Sequence, residues 1–187
     1  MKQAQVLSER DVKRVLAAIA RRSHSTRDRA MFQLSYLAGM RVGEIAALRV
    51  RDVYEADGAV KAHIRLSSSQ TKGSQARMVL LNAAVQEELR LYARTLPRNG
   101  DAPLFVSKCG KQMSANSLVQ VFGRFYRQAG LSNASSHSGR RTFLTGLAHK
   151  GVNVRVLAAL AGHKNISTTQ RYIEVGEHQL RAAVEMV

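Results

Sequence analysis

Four residues have the chemical types that a metal-independent phosphoryl transfer requires. Tyr172 supplies a phenol that can act as a nucleophile, and Lys72 supplies an ammonium that can protonate a leaving oxygen. Arg41 and Arg140 supply guanidinium groups, which can hold the non-bridging oxygens of a phosphate through paired hydrogen bonds. Phosphoryl transfer leaves a protein mainly the tasks of positioning and charge stabilisation, so this set could carry it. The set requires neither a metal ion nor an organic cofactor.

Two histidines could join these residues, although each also has an ordinary structural explanation. His137 precedes Arg140 by three positions, so both side chains project from one face at the start of a predicted helix. The same geometry suits a helix cap. His163 stands at the end of a predicted helix, where a histidine commonly complements the helix dipole. Tyr172 is equally typical of a partly buried core residue, so the individual residues leave both interpretations open.

The sequence is strongly basic. Its 187 residues include 29 Lys and Arg against 13 Asp and Glu, which gives a formal net charge of +16. Such a charge predicts a polyanionic partner, and nucleic acid first of all. No acidic residue occurs between positions 102 and 173, so we expect that stretch to carry the phosphate-facing surface. A basic exterior that is merely solvated is the alternative.

Other features of the composition narrow the class of protein. The single cysteine, Cys109, excludes an intramolecular disulfide and a multi-cysteine zinc site. No stretch has the pattern of a signal peptide or approaches the ~20 apolar residues of a membrane span. We therefore expect a cytoplasmic protein that uses no metal ion, cofactor or membrane.

The apolar spacing predicts a mainly helical chain with a short β-hairpin. Ser8 and Asp11 form a capping-box pattern that begins the first helix, and Gly39 has the position of a left-handed residue that ends the second. Alternation over residues 60–66 and an apolar run at 78–80 predict paired strands, with Lys72 at the tip between them. Further helices are predicted over residues 114–128, 137–150 and 154–161, with a short segment at 169–173 and a terminal helix from about 177.

Three segments resemble the motifs of the tyrosine recombinase, or phage integrase, family. They read YLAGMRVGEIAAL at residues 36–48, SHSGRRTF at 136–143 and LAGHKNISTTQRY at 160–172, and they occur in the family's order. The resemblance extends over about residues 7–175. It implies an α+β, mainly helical catalytic domain with a small three-stranded antiparallel sheet. The implied activity is site-specific DNA recombination: integration, excision or inversion.

The resemblance also implies a role for each motif residue. Arg41 and Arg140 would clamp the scissile phosphate while Tyr172 attacks it and forms a 3′-phosphotyrosyl bond. Lys72 would protonate the departing 5′-hydroxyl group.

The remaining motif residues would assist these four. His137 would act in proton transfer with the nucleophile, and His163 would donate a hydrogen bond to a phosphate oxygen. Glu44 would support the site by accepting a hydrogen bond or orienting a basic residue.

Three positions qualify this assignment. The family usually has a leucine where this sequence has Gly139 and a histidine where it has Arg141, which bears on how the second-motif helix packs. Lys72 has two basic neighbours in the sequence, Lys61 and Arg77, that could compete for its role.

The resemblance further implies an organisation for the chain and its assembly. We expect residues 1–187 to form a single catalytic domain whose tail helix, about 177–187, packs on its own domain or on a neighbouring protomer. Family members generally carry an N-terminal helical domain that closes a clamp around DNA, and only 40 residues precede Arg41. The sequence is therefore that of a minimal member or an excised domain.

The resemblance also implies an assembly on DNA. We expect a homo-tetramer on paired sites of double-stranded DNA, with possible accessory DNA-bending proteins. Without DNA we expect the chain to be a monomer or to associate weakly.

Three other functions compete with recombination. A non-catalytic DNA-binding protein could keep the same fold and basic face, but the presence of all six catalytic candidates favours an enzyme. A relaxing topoisomerase would use the same tyrosine chemistry and is distinguished by product topology. A basic RNA-binding protein is disfavoured, because aromatic residues make up only 5% of the sequence and offer little surface for base stacking.

Overall fold

The computed structural model describes residues 4–71, 75–97, 99–173, 181 and 184–185. The chain divides into two units, Met1–Phe143 and Leu144–Val187, and each is described by itself. The predicted tail helix at 177–187 lies almost entirely outside the described residues, as does Lys72.

The first helix of the N-terminal unit begins at the predicted capping box, and the second is followed by the predicted glycine turn. Helix α1, Glu9–Ala20, starts at a capping box in which the Ser8 side chain accepts from the Asp11 amide and the Asp11 carboxylate accepts from the Ser8 amide. Helix α2, Ser25–Tyr36, leads into a turn at Gly39. The φ angle of Gly39 is +64°, which confirms the predicted left-handed residue.

Two short helices and a β-hairpin follow. Helices α3, Val42–Ala46, and α4, Val50–Val53, precede strand β1, His63–Leu66, and a 3₁₀ turn at Ser68–Gln70. Strand β1 pairs antiparallel with β2, Arg77–Leu80, and Ile64 lies opposite Val79. Among the described residues the sheet has two strands rather than the expected three.

The rest of the N-terminal unit is helical. Asn82 caps helix α5, Ala83–Ala93, and Ser114 caps helix α6, Ala115–Gln128. One face of α6 is fully buried in the core and includes Leu118, Phe122 and Phe125. The next helix, α7, Ser138–His149, begins in this unit and contains the boundary between the two units.

The C-terminal unit contains helix α8, Val154–Ala161, and helix α9, Ile166–Gln170, which pack on each other. Helix α8 ends at Gly162, which has a φ angle of +61°. The left-handed glycine redirects the chain so that His163 directly follows the helix. None of the helices in the described part of the chain is both long and apolar enough to cross a membrane.

Candidate functional site

Glu44 fixes the position of Arg41 at the start of helix α3. The backbone amide of Arg41 donates to Glu44 Oε2 at 2.8 Å, and its Nη1 donates to Oε1 at 2.9 Å. The spacing of three residues at a helix N-terminus makes both bonds possible. The Glu44 side chain is 1% exposed and that of Arg41 is 22% exposed, so the carboxylate is inside while the guanidinium reaches the surface.

A second arginine, Arg77 on strand β2, holds the other side of the same carboxylate. Its Nε donates to Glu44 Oε1 at 3.0 Å and its Nη2 to Oε2 at 2.6 Å, so the pair is bidentate. The sequence predicted a supporting role for Glu44 but identified Arg77 only as a neighbour of Lys72. A buried carboxylate requires more compensation than one arginine supplies, but the burial of Glu44 is visible only in the structure, so the sequence carried no signal for Arg77.

The two arginines determine the charge state of Glu44. Burial by itself would raise the pKa of this carboxyl group, but hydrogen bonds and charge from Arg77, followed by those from Arg41, lower the pKa below its ordinary value. Glu44 is therefore ionised at neutral pH. An ionised carboxylate keeps both guanidinium groups in place.

Arg140 meets the loop that carries Arg41. Arg140 lies in the first turn of helix α7, is buried, and donates from Nη1 to the backbone carbonyl of Gly39. That carbonyl is two residues before Arg41 in the chain. The structure thus brings the two predicted phosphate-clamping arginines to one loop of the N-terminal unit.

His137 lies immediately before helix α7 and is exposed. Its backbone amide donates to Ser135 Oγ at 3.3 Å, and its carbonyl accepts from the Arg141 amide inside the helix. The backbone thus fixes a residue that is exposed. That exposure is compatible with the proton-transfer role implied by the resemblance.

Gly139 explains one departure from the family pattern. A Cβ atom at this position would lie 2.8 Å from Ser35 Oγ and 3.3 Å from the backbone nitrogen of Tyr36. Helix α7 therefore approaches the end of α2 too closely for the leucine that usually stands here. The glycine sets the distance at which Arg140 meets the α2–α3 loop.

The C-terminal unit holds the other two described candidates. The rings of His163 and Tyr172 stack with centroids 5.9 Å apart and planes 20° from parallel. Nδ1 of His163 lies 2.9 Å from Oγ1 of Thr169, and the backbone amide of Tyr172 donates to the Thr169 carbonyl at 2.9 Å. Helix α9 thus connects the candidate nucleophile to the candidate hydrogen-bond donor within this unit.

A basic groove of about 550 Å³ is lined by the α1–α2 turn and the start of α2, by the 107–113 segment and by helix α6. Two of its arginines are fixed in place: Arg22 Nε and Arg27 Nη2 each lie 2.7 Å from a carboxylate oxygen of the buried Asp28. Its basic side chains are Arg21, Arg22, His24, Arg27, Lys108 and Arg124. The predicted acid-free stretch contributes only the last two of these, so the sequence underestimated the part played by the α1–α2 turn.

Among the described residues, no group of three or more His, Cys, Asp or Glu side chains could hold a metal ion.

The comparisons with known proteins agree with the fold and the motifs. Residues 5–179 match the model of the phage integrase family. The chain is 35% identical over 162 residues to the tyrosine recombinase XerD of Ralstonia nicotianae, covering 83% of this chain and 50% of the relative. The chain spans about half the length of the curated relatives it matches.

Solved structures show the same fold. The XerA recombinase has a TM-score of 0.78 and 25% identity, with 100% of this chain and 66% of the other covered. The XerH recombinase bound to a palindromic difH substrate has a TM-score of 0.72 and 23% identity, with coverage of 96% and 51%. These matches confirm the predicted mainly helical α+β catalytic-domain fold. The chain belongs to the phage integrase family.

Proposed function

We propose that this chain is the catalytic part of a site-specific DNA recombinase that cleaves and rejoins DNA through a 3′-phosphotyrosyl intermediate. One observation carries the proposal: Arg140 bonds the carbonyl of Gly39 in the loop that presents Arg41. Two guanidinium groups at one loop suit a phosphate, because each can bind a pair of its oxygens. The motif order and the family membership support the same activity.

The reaction balances without a cofactor. The Tyr172 hydroxyl gives its proton to His137 as its oxygen attacks phosphorus, a P–O bond to tyrosine forms, and the P–O bond to the 5′ oxygen breaks. The leaving oxygen takes a proton from Lys72 and becomes a 5′-hydroxyl group. Attack on the phosphotyrosyl bond by another 5′-hydroxyl reverses these steps and restores tyrosine. The covalent intermediate conserves the energy of the broken bond, so rejoining needs no nucleotide triphosphate.

The arginines stabilise the negative charge that develops on the phosphate oxygens in the transition state. Within the described residues, only Nη1 of Arg41 donates to a side chain, which leaves Nε and Nη2 for phosphate oxygens. Glu44 holds this guanidinium before substrate arrives and is itself held by Arg77, so little reorganisation is needed during the reaction. We expect His137 to act as the proton-transfer group and His163 to donate a hydrogen bond to a phosphate oxygen.

Double-stranded DNA is the proposed partner, bound largely through its phosphates. The basic groove offers five Lys and Arg side chains and His24, two of the arginines are fixed by Asp28, and none of its described lining residues is acidic. Binding of this kind is independent of sequence and falls steeply with salt. We propose that residues 1–187 act as one catalytic domain, that tetramers form on paired DNA sites, and that accessory DNA-bending proteins assist.

The first experiment is covalent trapping on a nicked suicide DNA duplex that carries candidate sites. The short fragment that carries the new 5′-hydroxyl group diffuses away, which prevents rejoining. An active chain should therefore accumulate as a protein–DNA adduct on a denaturing gel. Tyr172→Phe should bind the same DNA and form no adduct, because it lacks only the attacking oxygen.

The non-catalytic alternative makes the opposite prediction. If both proteins bind DNA and neither forms an adduct with any candidate site, the chain is a DNA-binding protein that keeps the fold. An adduct that persists in Tyr172→Phe would show that another residue is the nucleophile.

A further inference from the structure

The hydroxyl of Thr169 is placed to control the imidazole of His163. Thr169 lies on helix α9 and is fully buried, and its Oγ1 is 2.9 Å from Nδ1 of His163. None of the roles assigned so far to the motif residues includes Thr169. The question is which of the two atoms donates the hydrogen.

Burial decides the direction of this hydrogen bond. A hydroxyl proton inside a protein needs an acceptor, because leaving it unpaired costs free energy. In the part of the chain that the structure describes, Nδ1 of His163 is the side-chain partner of this hydroxyl. If Nδ1 carried the proton, Oγ1 would accept, and its own proton would have no partner, side chain or backbone, among the hydrogen bonds of the described residues. The hydroxyl therefore donates, and the proton of the neutral ring lies on Nε2.

A second interaction restricts the plane of the ring. The imidazole stacks on the ring of Tyr172, with the planes 20° apart. The stack limits rotation out of the plane, and the hydrogen bond from Thr169 distinguishes one ring nitrogen from the other. The two interactions together define both the orientation of the imidazole and the nitrogen that can donate.

We propose that Thr169 is a positioning residue that keeps the proton of His163 on Nε2, from which it donates to an oxygen of the scissile phosphate. The inference rests on the proposed function for the phosphate, whereas the tautomer itself is a property of the free protein. Thr169 also accepts from the Tyr172 amide, so one residue positions the donor and the backbone of the nucleophile.

The tautomer can be measured without DNA by long-range proton–nitrogen correlation spectra of isotope-labelled protein. The spectra are recorded about two units above the ordinary imidazole pKa of ~6.5. His163→Gln identifies the His163 signals. We expect the Nε2–H form in wild type and in Thr169→Ser. In Thr169→Val the Nδ1 resonance should shift because it loses its donor. Thr168→Val, an exposed neighbour on the same helix, should leave the His163 signals unchanged.

Either of two spectra would overturn the inference: a proton on Nδ1 in the wild type, or an unchanged Nδ1 resonance in Thr169→Val. The first outcome needs no variant, so the inference stays testable if Thr169→Val does not fold.

Suicide-substrate trapping supplies the functional arm. Thr169→Val should form the adduct roughly tenfold more slowly at saturating DNA, with DNA affinity unchanged, and Thr169→Ser should restore the rate. An unchanged rate in Thr169→Val would overturn the positioning role. If the wild type forms no adduct while the spectra show the Nε2–H form, the proposed function fails and the tautomer assignment stands.

Discussion

Glu44 links two arginines of the candidate site, Arg41 at the start of helix α3 and Arg77 on strand β2. Its carboxylate is buried and accepts from Arg41 and from Arg77. Removing one partner of a buried ion pair leaves a charge that the interior cannot solvate. The stability of the fold and the position of Arg41 therefore depend on the same carboxylate.

Replacing Arg77 tests this dependence. We expect Arg77→Met to lower the free energy of unfolding by about 3 kcal/mol, because the Glu44 carboxylate keeps one of its two cationic partners. Urea unfolding measures the change. Arg65→Met, on the exposed face of the neighbouring strand β1, is the matched control and should change stability by less than about 0.5 kcal/mol. Equal effects of the two substitutions would refute the special role of Arg77.

The pKa of Glu44 predicts a pH dependence with a definite sign. The folded pKa lies below the ordinary value of 4.5, so the group stabilises the fold fully above that pH. The stabilisation is lost as pH falls from 4.5 through the folded pKa. The stability difference between wild type and Glu44→Gln should therefore be constant from neutral pH down to about 5 and shrink at lower pH. Urea unfolding across that range measures it, and a difference that grows on acidification would contradict the assignment.

The sequence predicted part of this cluster for a physical reason. Arg41 and Glu44 are three residues apart, and local spacing determines their hydrogen bonds at the start of a helix. Arg77 reaches Glu44 from a strand 33 positions later in the chain, and that pairing depends on how the hairpin packs. Tertiary interactions of this kind have no local pattern.

At the scale of the elements, the close approach of α7 to α2 determines where Arg140 lies. Gly139 permits this approach, since a Cβ atom would meet Ser35 and the backbone of Tyr36. The backbone nitrogen cannot move aside as the end of a flexible side chain can. Overpacking between the two helices would shift α7 and, with it, the arginine one residue later.

Gly139→Ala tests this close packing. We expect it to lower the free energy of unfolding by about 1–3 kcal/mol, although alanine favours a helix over glycine. Gly146→Ala, later on the same helix, has nothing within 4 Å of the added atom and should be neutral or stabilising. The two variants are compared by urea unfolding. A stabilising Gly139→Ala would show that the two helices do not touch at this position.

The elements themselves were predicted unequally. The capping box of α1 and the apolar stripe of α6 are local signals, and both helices agree closely with the predictions. Helix α4 has four residues and no apolar periodicity, so the sequence could not indicate it. The third strand expected from the family resemblance is absent among the described residues, where Val60 forms only an isolated bridge with Tyr54.

At the scale of the whole molecule, the excess of positive charge is not evenly placed. Several acidic residues are already paired with arginines, as Asp28 is with Arg22 and Arg27. Such clusters fix the positions of the basic side chains, and the carboxylate cancels part of their positive charge. The exposed basic residues at the rim of the basic groove, including Lys108 and Arg124, then contribute most to the field that a DNA phosphate meets.

Charge reversal at the rim tests whether the groove binds DNA. Lys108→Glu and Arg124→Glu should each weaken binding to a short duplex, whatever its sequence. Each should also reduce the slope of log affinity against log salt by about 0.9 for every phosphate that the protein no longer neutralises. Lys13→Glu, on the exposed face of α1 and outside the groove lining, changes the net charge as much as Lys108→Glu and is the control. Fluorescence anisotropy across a salt series measures both quantities.

If Lys13→Glu weakens binding as much as the two rim variants, net charge attracts the DNA and the groove is not its binding site. If only the rim variants reduce affinity and slope, the phosphates lie in the groove, because an effect confined to the rim cannot come from charge shared by the whole surface.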